Sequence, residues 1–181
     1  MGLAARWNFH NGLENQFPIA VLRVAFAASG TRPAAVILRD DRGIAEHALY
    51  WCAVESEAEG YFLLAILNSE TARLRMMNIQ ARGEQGARHF DKLMFTLPIP
   101  LFDARIRLHA ALAAAAEAAE ELAATVPVAA DMPFQRARGV IRTALQDSGL
   151  AERIDLLVAE LLGPDPWGKD EAAAVLEAAE P

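Results

Sequence analysis

The chain has 181 residues, 54 % hydrophobic and 23 % charged, which is enough apolar material for a buried core and excludes a disordered polymer. No apolar run approaches the ~20 residues of a membrane-crossing helix and no signal-peptide pattern opens the chain, so a cytoplasmic protein without a membrane partner is expected. A single cysteine, Cys52, and four scattered histidines supply neither an internal disulfide nor a thiolate zinc site.

The net charge of −7 is unevenly distributed. Residues 1–100 hold ten Lys/Arg and ten Asp/Glu, whereas residues 101–181 hold seven and fourteen, so all the excess negative charge lies in the second part. Within the neutral part, residues 73–92 carry Arg73, Arg75, Arg82, Arg88 and Lys92 against Glu84 and Asp91, a local +3 that His89 can raise. Charges beyond a Debye length of about 10 Å are largely screened, so the local sign governs phosphate binding. Such a run is otherwise an ordinary solvated face.

In chain order, Ile19–Phe26, Ala34–Leu38 and Leu49–Val54 read as strands, separated by turn chemistry at Ser29-Gly30 and at Asp40–Gly43. Ser56-Glu57-Ala58-Glu59 matches a capping box that starts a helix burying Phe62 and Ile66 and stopping near Asn68-Ser69. A short helix follows, turning Leu74 and Met77 inward with Met76 beside them. After a Gly-containing loop from Gln80 to Gly86, Leu93–Leu97 reads as another strand, closed by Leu97-Pro98-Ile99-Pro100.

From Asp103 onward the chain reads as helical. Residues 103–124 contain eleven alanines, and Leu108, Leu112, Ala115, Ala119, Leu122 and Val126 form a seam at alternating spacings of four and three. Asp131 and Pro133 announce a helix to about Gln146, stopped by Ser148-Gly149. Leu150 to Leu162 presents Ile154, Leu157, Val158 and Leu161 on one face before Gly163-Pro164. Asp170–Ala179 is a weak last helix. The expected class is α+β: a small antiparallel sheet with packed helices over residues 1–102, then an all-helical part over 103–181.

Recognisable catalytic chemistry is scarce. Arg82–Gly86 follows a helix rather than a strand, the wrong context for a nucleotide-binding turn. His47 and Cys52 would face opposite sides of a strand, which favours a structural cysteine over a thiol–imidazole pair. His109 beside the seam reads as packed or surface rather than as a ligand. Glu117, Glu120 and Glu121 read as a solvated helix face.

One ordered set of motifs is more specific. Tyr61–Ser69, ending in Leu67-Asn68-Ser69, is followed by the basic stretch Gln80–Arg88, then His89-Phe90-Asp91-Lys92, then Leu97-Pro98-Ile99-Pro100 leading into the long helix. Over residues 17–125 this order resembles the target-recognition region of bacterial restriction–modification proteins. It is similar to type I specificity subunits and to the carboxy-terminal region of adenine-N6 DNA methyltransferases. The catalytic hallmarks of those enzymes, a cofactor loop and an Asn-Pro-Pro-aromatic tetrapeptide, are absent from this sequence.

The resemblance therefore implies a non-catalytic recognition module with a target-recognition-like sheet domain. Its partners would be double-stranded DNA and a methyltransferase catalytic domain or subunit, and S-adenosylmethionine would bind on that catalytic domain. Under it Arg82, Arg88, His89 and Lys92 meet DNA, Gln80 and Gln85 read bases, and Arg73 and Arg75 touch phosphates or salt-bridge locally. Arginine to guanine or glutamine to adenine would discriminate by ~1–3 kcal/mol each. Asp41, Arg42 and Gly43 are a weaker second site, and Trp7, Asn8, Phe9 and His10 an arm or linker. In the acidic helical part Arg136, Arg138 and Arg142 stand out, with Arg138 and Arg142 expected to pair with nearby acids. The competing reading is a helical assembly module that docks through its alanine seam without touching DNA.

Overall fold

The computed structural model describes residues 12, 14–27, 32–45, 48–79, 94 and 96–164. Three antiparallel strands, β1 (Leu22–Ala27), β2 (Ala35–Arg39) and β3 (Leu49–Ala53), lie in the order β2-β1-β3, with Val24 opposite both Ile37 and Cys52. Five helices follow: α1 (Glu57–Asn68), α2 (Glu70–Ile79), α3 (Arg107–Thr125), α4 (Phe134–Asp147) and α5 (Leu150–Leu162). The α+β class expected from the sequence is the class observed.

Period-two alternation sends Val24 and Phe26 of the central strand to the helical side of the sheet, where they meet Phe62 and Ile66 of α1. Gly60 lets α1 lie close on β2, since a Cβ there would stand 3.1 Å from Cδ1 of Ile37. Helix α3 crosses the other side of α1, burying Leu112, Ala113, Ala115 and Ala116, and α5 closes the layer with Val158 and Leu162. One continuous core thus runs from the sheet through α1 to α3 and α5. Helices lie on both sides of residue 102, α1 and α2 before it and α3, α4 and α5 after it.

The local signals act as their chemistry requires. Ser56 caps α1 by accepting the N–H of Glu59 at 3.2 Å, while the Glu59 carboxylate accepts the N–H of Glu55 at 2.7 Å, one residue earlier than a standard capping box. Gly149 reverses the chain between α4 and α5 at φ 75°, and Gly163 ends α5 at φ 66°.

Two expectations are corrected. Among the described residues of the stretch expected as a strand from Leu93 to Leu97, Met94 and Thr96 lie in 3-10 geometry and add nothing to the sheet. Met94 and Leu97 are both buried, a spacing of three that suits a turn, and Pro98 and Pro100 cannot donate to a ladder. In α2 Met76 points inward as expected, together with Ala72, whereas Leu74 is 50 % exposed and Met77 also faces out. The Asp170–Ala179 helix lies outside the described residues.

Candidate nucleic-acid interface

The frame that carries the basic segment is built at the Asn68-Ser69 corner. Asn68 at the end of α1 accepts the N–H of Ala35 at 2.9 Å and donates to its carbonyl at 3.0 Å, so an amide side chain stands in for a neighbouring strand at the edge of β2. Buried Ser69 donates to the carbonyl of Ile66 at 2.9 Å and accepts the N–H of Ala72 at 3.0 Å, ending α1 and starting α2 with one hydroxyl. Asp155 of α5 accepts the N–H of Thr71 at 3.1 Å, and the Thr71 hydroxyl donates to the Asp155 carbonyl at 3.1 Å. The first turn of α2 is therefore anchored to both the sheet and the helical part.

The residues expected to meet DNA are placed as follows. Gln80, Arg82, Gln85, Arg88, His89 and Lys92 lie outside the described residues. Arg75 is 6 % exposed and donates to the carbonyls of Leu162 (3.1 Å) and Gly163, completing the C-terminal end of α5. That satisfies carbonyls a helix leaves open and places a cation at its negative end. No ion pair of Arg75 with an acid is found among the described residues. The local bond is to carbonyls rather than to an acid.

Arg73 lies one turn into α2 and grips Glu70, with Nε on Oε2 at 2.7 Å and Nη2 on Oε1. Arg32, in the connection between β1 and β2, donates from Nη1 to Glu70 Oε2 at 2.9 Å. These guanidiniums hold the Glu70 carboxyl below its ordinary range; the Arg73 bond contributes most, opposed by partial desolvation. Arg142 of α4 is close enough to feel Arg32, Arg138 and Glu70. Burial first, then the two like charges, press its guanidinium below its ordinary value, while Glu70 acts the other way. Arg138, one turn earlier, stands over the Phe134 ring at 5.5 Å. No ion pair with an acid is found for Arg138 or Arg142 among the described residues, contrary to the expectation that they would pair locally. Arg32 from the β1–β2 connection and Arg73 from α2 thus share one carboxylate.

The opposite edge is neutralised. Arg39 at the end of β2 donates from Nε to both oxygens of Glu57 (3.0 and 3.1 Å) and from Nη1 and Nη2 to Glu120 of α3 (3.2 and 2.9 Å). The Tyr61 hydroxyl donates to Glu120 at 2.6 Å, and that bond raises its pKa to about 12. Glu120, expected on a solvated face, in fact ties α3 to the sheet. At the exit into α3, Asp103 accepts the backbone N–H and Nε of Arg105, both at 2.9 Å, and Nη2 at 2.7 Å, which draws its carboxyl down to about 2.

On the outer face of β1, Arg23 is 1 % exposed; Nη2 donates to the carbonyl of Asp40 at 2.7 Å, but Nε and Nη1 find no partner among the described residues. Nothing in the strand's sequence separates this buried arginine from an exposed one. Of the weaker second site, Asp40 caps the turn by accepting the N–H of Arg42 at 2.6 Å, and Asp41, Arg42 and Gly43 are exposed. His109 is packed: its ring lies 4.7 Å from Phe62, and its Nδ1 accepts the N–H of Asp103 at 3.1 Å. Cys52 is exposed on β3, and desolvation by its surroundings together with the Glu59 carboxylate pushes its thiol up, against the thiolate a nucleophile needs. His47 and residues 7–10 lie outside the described residues. No described helix is long and apolar enough to cross a membrane.

Arg32 is the partner of Glu70 that the sequence did not flag, since a single arginine before Pro33 carries no pattern of its own. A scan against protein-family models, and searches of curated proteins and of solved structures, return no match for this chain.

Proposed function

We propose that the chain is a cytoplasmic, non-catalytic DNA-recognition module of a restriction–modification adenine-N6 methyltransferase, which reads duplex DNA through residues 80–92. The observation that carries this reading is how that segment is bracketed. It follows the end of α2 at Ile79, in whose last turn Met76 is fully buried, and it precedes Met94, also fully buried in the core. A stretch bearing Arg82, Arg88, His89 and Lys92 between two core anchors is the arrangement base reading needs, because donors must be held on a rigid frame to discriminate. Gln80 and Gln85 then serve as base readers, and S-adenosylmethionine belongs to a partner catalytic domain.

The assembly-module reading is less well supported, since Leu112 and Ala115 of the seam are consumed inside this chain, against α1 and its neighbours. The decisive experiment is duplex binding as a function of salt. Arg88→Ala and Lys92→Ala are each expected to weaken binding and to flatten the slope of log K against log salt by about one unit per lost phosphate contact. If both variants bind duplex DNA with unchanged affinity and slope, the reading fails.

A further inference from the structure

We infer that the outer face of α4 is a self-complementary surface on which a second copy of this chain docks, antiparallel, about a two-fold axis. The inference stands apart from the DNA-recognition reading and does not need it.

Helix α4 packs on α3 and α5, yet none of its residues is fully buried. By helical period Ile141 and Leu145 share one side and are half-buried. The opposite side carries an open groove lined by Arg136, Gly139, Val140, Thr143, Ala144 and Asp147. These residues fall at steps of three and four, so they form one stripe along the helix. Val140 is 36 % exposed, and Arg136, Thr143 and Asp147 are exposed with it.

Two features of that stripe work against α4 as a helix of a lone chain. Glycine inside a helix costs stability relative to alanine, since it gives up the most backbone freedom. A Cβ at Gly139 would meet no atom within 4 Å among the described residues, so this chain's own packing does not ask for the glycine. The charges are also reversed against the helix dipole: Arg136 stands in the first turn, where the dipole is positive, and Asp147 ends the last turn, where it is negative. Both costs are offset if a second helix lies close over Gly139 and answers the two charges.

The same charges identify that helix. Neither Arg136 nor Asp147 has an ion-pair partner among the described residues. Eleven residues of helix hold them about 16 Å apart, beyond the reach of their side chains, so they cannot answer each other. About the midpoint between Ile141 and Arg142 the stripe reads the same in both directions. An antiparallel second copy with its two-fold axis at that midpoint sets Arg136 level with Asp147 of the other copy, and Asp147 level with its Arg136. The same operation sets Val140 level with Thr143 and Gly139 level with Ala144. Two ion pairs then close the ends of a seam of small residues. A parallel copy would instead bring arginine to arginine and aspartate to aspartate. One helix against one helix buries less than the standard interface of ~1,600 Å², so the dimer is reversible, with a Kd on the order of 10–100 µM.

The test is sedimentation equilibrium on the full chain, without DNA, at concentrations spanning that Kd. The wild type is expected to pass reversibly from monomer to dimer. Gly139→Leu, which fills the crossing point, is expected to weaken the dimer at least roughly tenfold. Arg136→Asp and Asp147→Arg are each expected to leave monomers, because each sets like charges opposite one another at both ends. Mixing those two variants in equal amounts is expected to restore the dimer, since every aspartate then faces an arginine. Each charge reversal also suits the helix dipole, and unchanged or higher melting temperatures in dilute solution verify that the variants fold. A wild type that stays monomeric throughout, a dimer that survives all three substitutions, or a mixture that does not associate overturns the inference.

Discussion

Arginine ties the sheet to the helices at two places, and the two joints differ in kind. At the α1–α3 joint, Arg39 meets two carboxylates and neighbours a tyrosine hydroxyl, above a packed layer of Leu112 and alanines. Between the β1–β2 connection and α2, Arg32 and Arg73 share the single carboxylate of Glu70. A joint that only holds the fold closes its charges internally, because an unanswered cation at an interface costs stability. At Glu70 the balance is reversed, with two cations to one carboxylate where Arg39 alone meets two.

The largest effect should come from the closed joint. Leu112 is fully buried between α1 and the rest of the core, so Leu112→Ala is expected to lower unfolding free energy by about 3 kcal/mol, read from a urea titration. Loss of a partner chain without loss of stability would instead place the alanine seam at an intermolecular surface and break the comparison. Arg75 belongs with the closed set despite its place in the basic window. Arg75→Ala leaves the Leu162 and Gly163 carbonyls without their donor and should cost about 2 kcal/mol, with duplex affinity at fixed folded concentration unchanged. A fall in affinity with full stability would move Arg75 out of that set.

Arg23 tests the same distinction on the outer face of the sheet. Its guanidinium is buried with one hydrogen bond and two unpartnered nitrogens among the described residues. Replacing such a group by an apolar chain of similar length relieves the desolvation penalty, so Arg23→Met is expected to raise stability by about 1 kcal/mol, measured in the same titration. A loss of stability of that size would mean that the guanidinium is answered after all, and would class Arg23 with Arg39.

How much of this could be read in advance follows from where the signals reside. The α1 start at Ser56, the α5 span from Leu150 to Leu162 and the glycine stops at 149 and 163 were legible, because caps and breakers act on their own backbone within a turn. The inward face of α2 was not. Its apolar residues lie on several sides, and which side is buried is decided by α5, through Asp155 on Thr71 and through the carbonyls that take Arg75. The strand expected at Leu93 failed because β-propensity was read without the burial spacing of Met94 and Leu97. The ion pairs of Glu70 were half legible: Arg73 stood out by local charge at a spacing of three, while Arg32 reaches the same carboxylate across 38 residues of chain.

The smallest effect, and the most specific to the closed joint, is its dependence on pH. The bond to Glu120 holds the Tyr61 proton until about 12, against 10.0 for an unperturbed tyrosine, while Arg39, and secondarily Tyr61, hold Glu120 below its ordinary value. A raised tyrosine pKa stabilises the folded chain fully below pH 10. Between pH 10 and 12 the unfolded chain loses that proton first, and the contribution disappears as pH rises. For Glu120 the sign is reversed: its contribution is complete above the unfolded carboxylate pKa and is lost as pH falls from there through the lower folded value. Both groups are substantially exposed, so the shifts translate into only a modest change in melting temperature. Tyr61→Phe should therefore melt with a visibly shallower alkaline limb than the wild type between pH 10 and 12, and with nearly the same acid limb, since Arg39 still holds Glu120. An alkaline limb identical to the wild type would mean that the hydroxyl of Tyr61 does not close this joint, and that Arg39 alone holds Glu120 there.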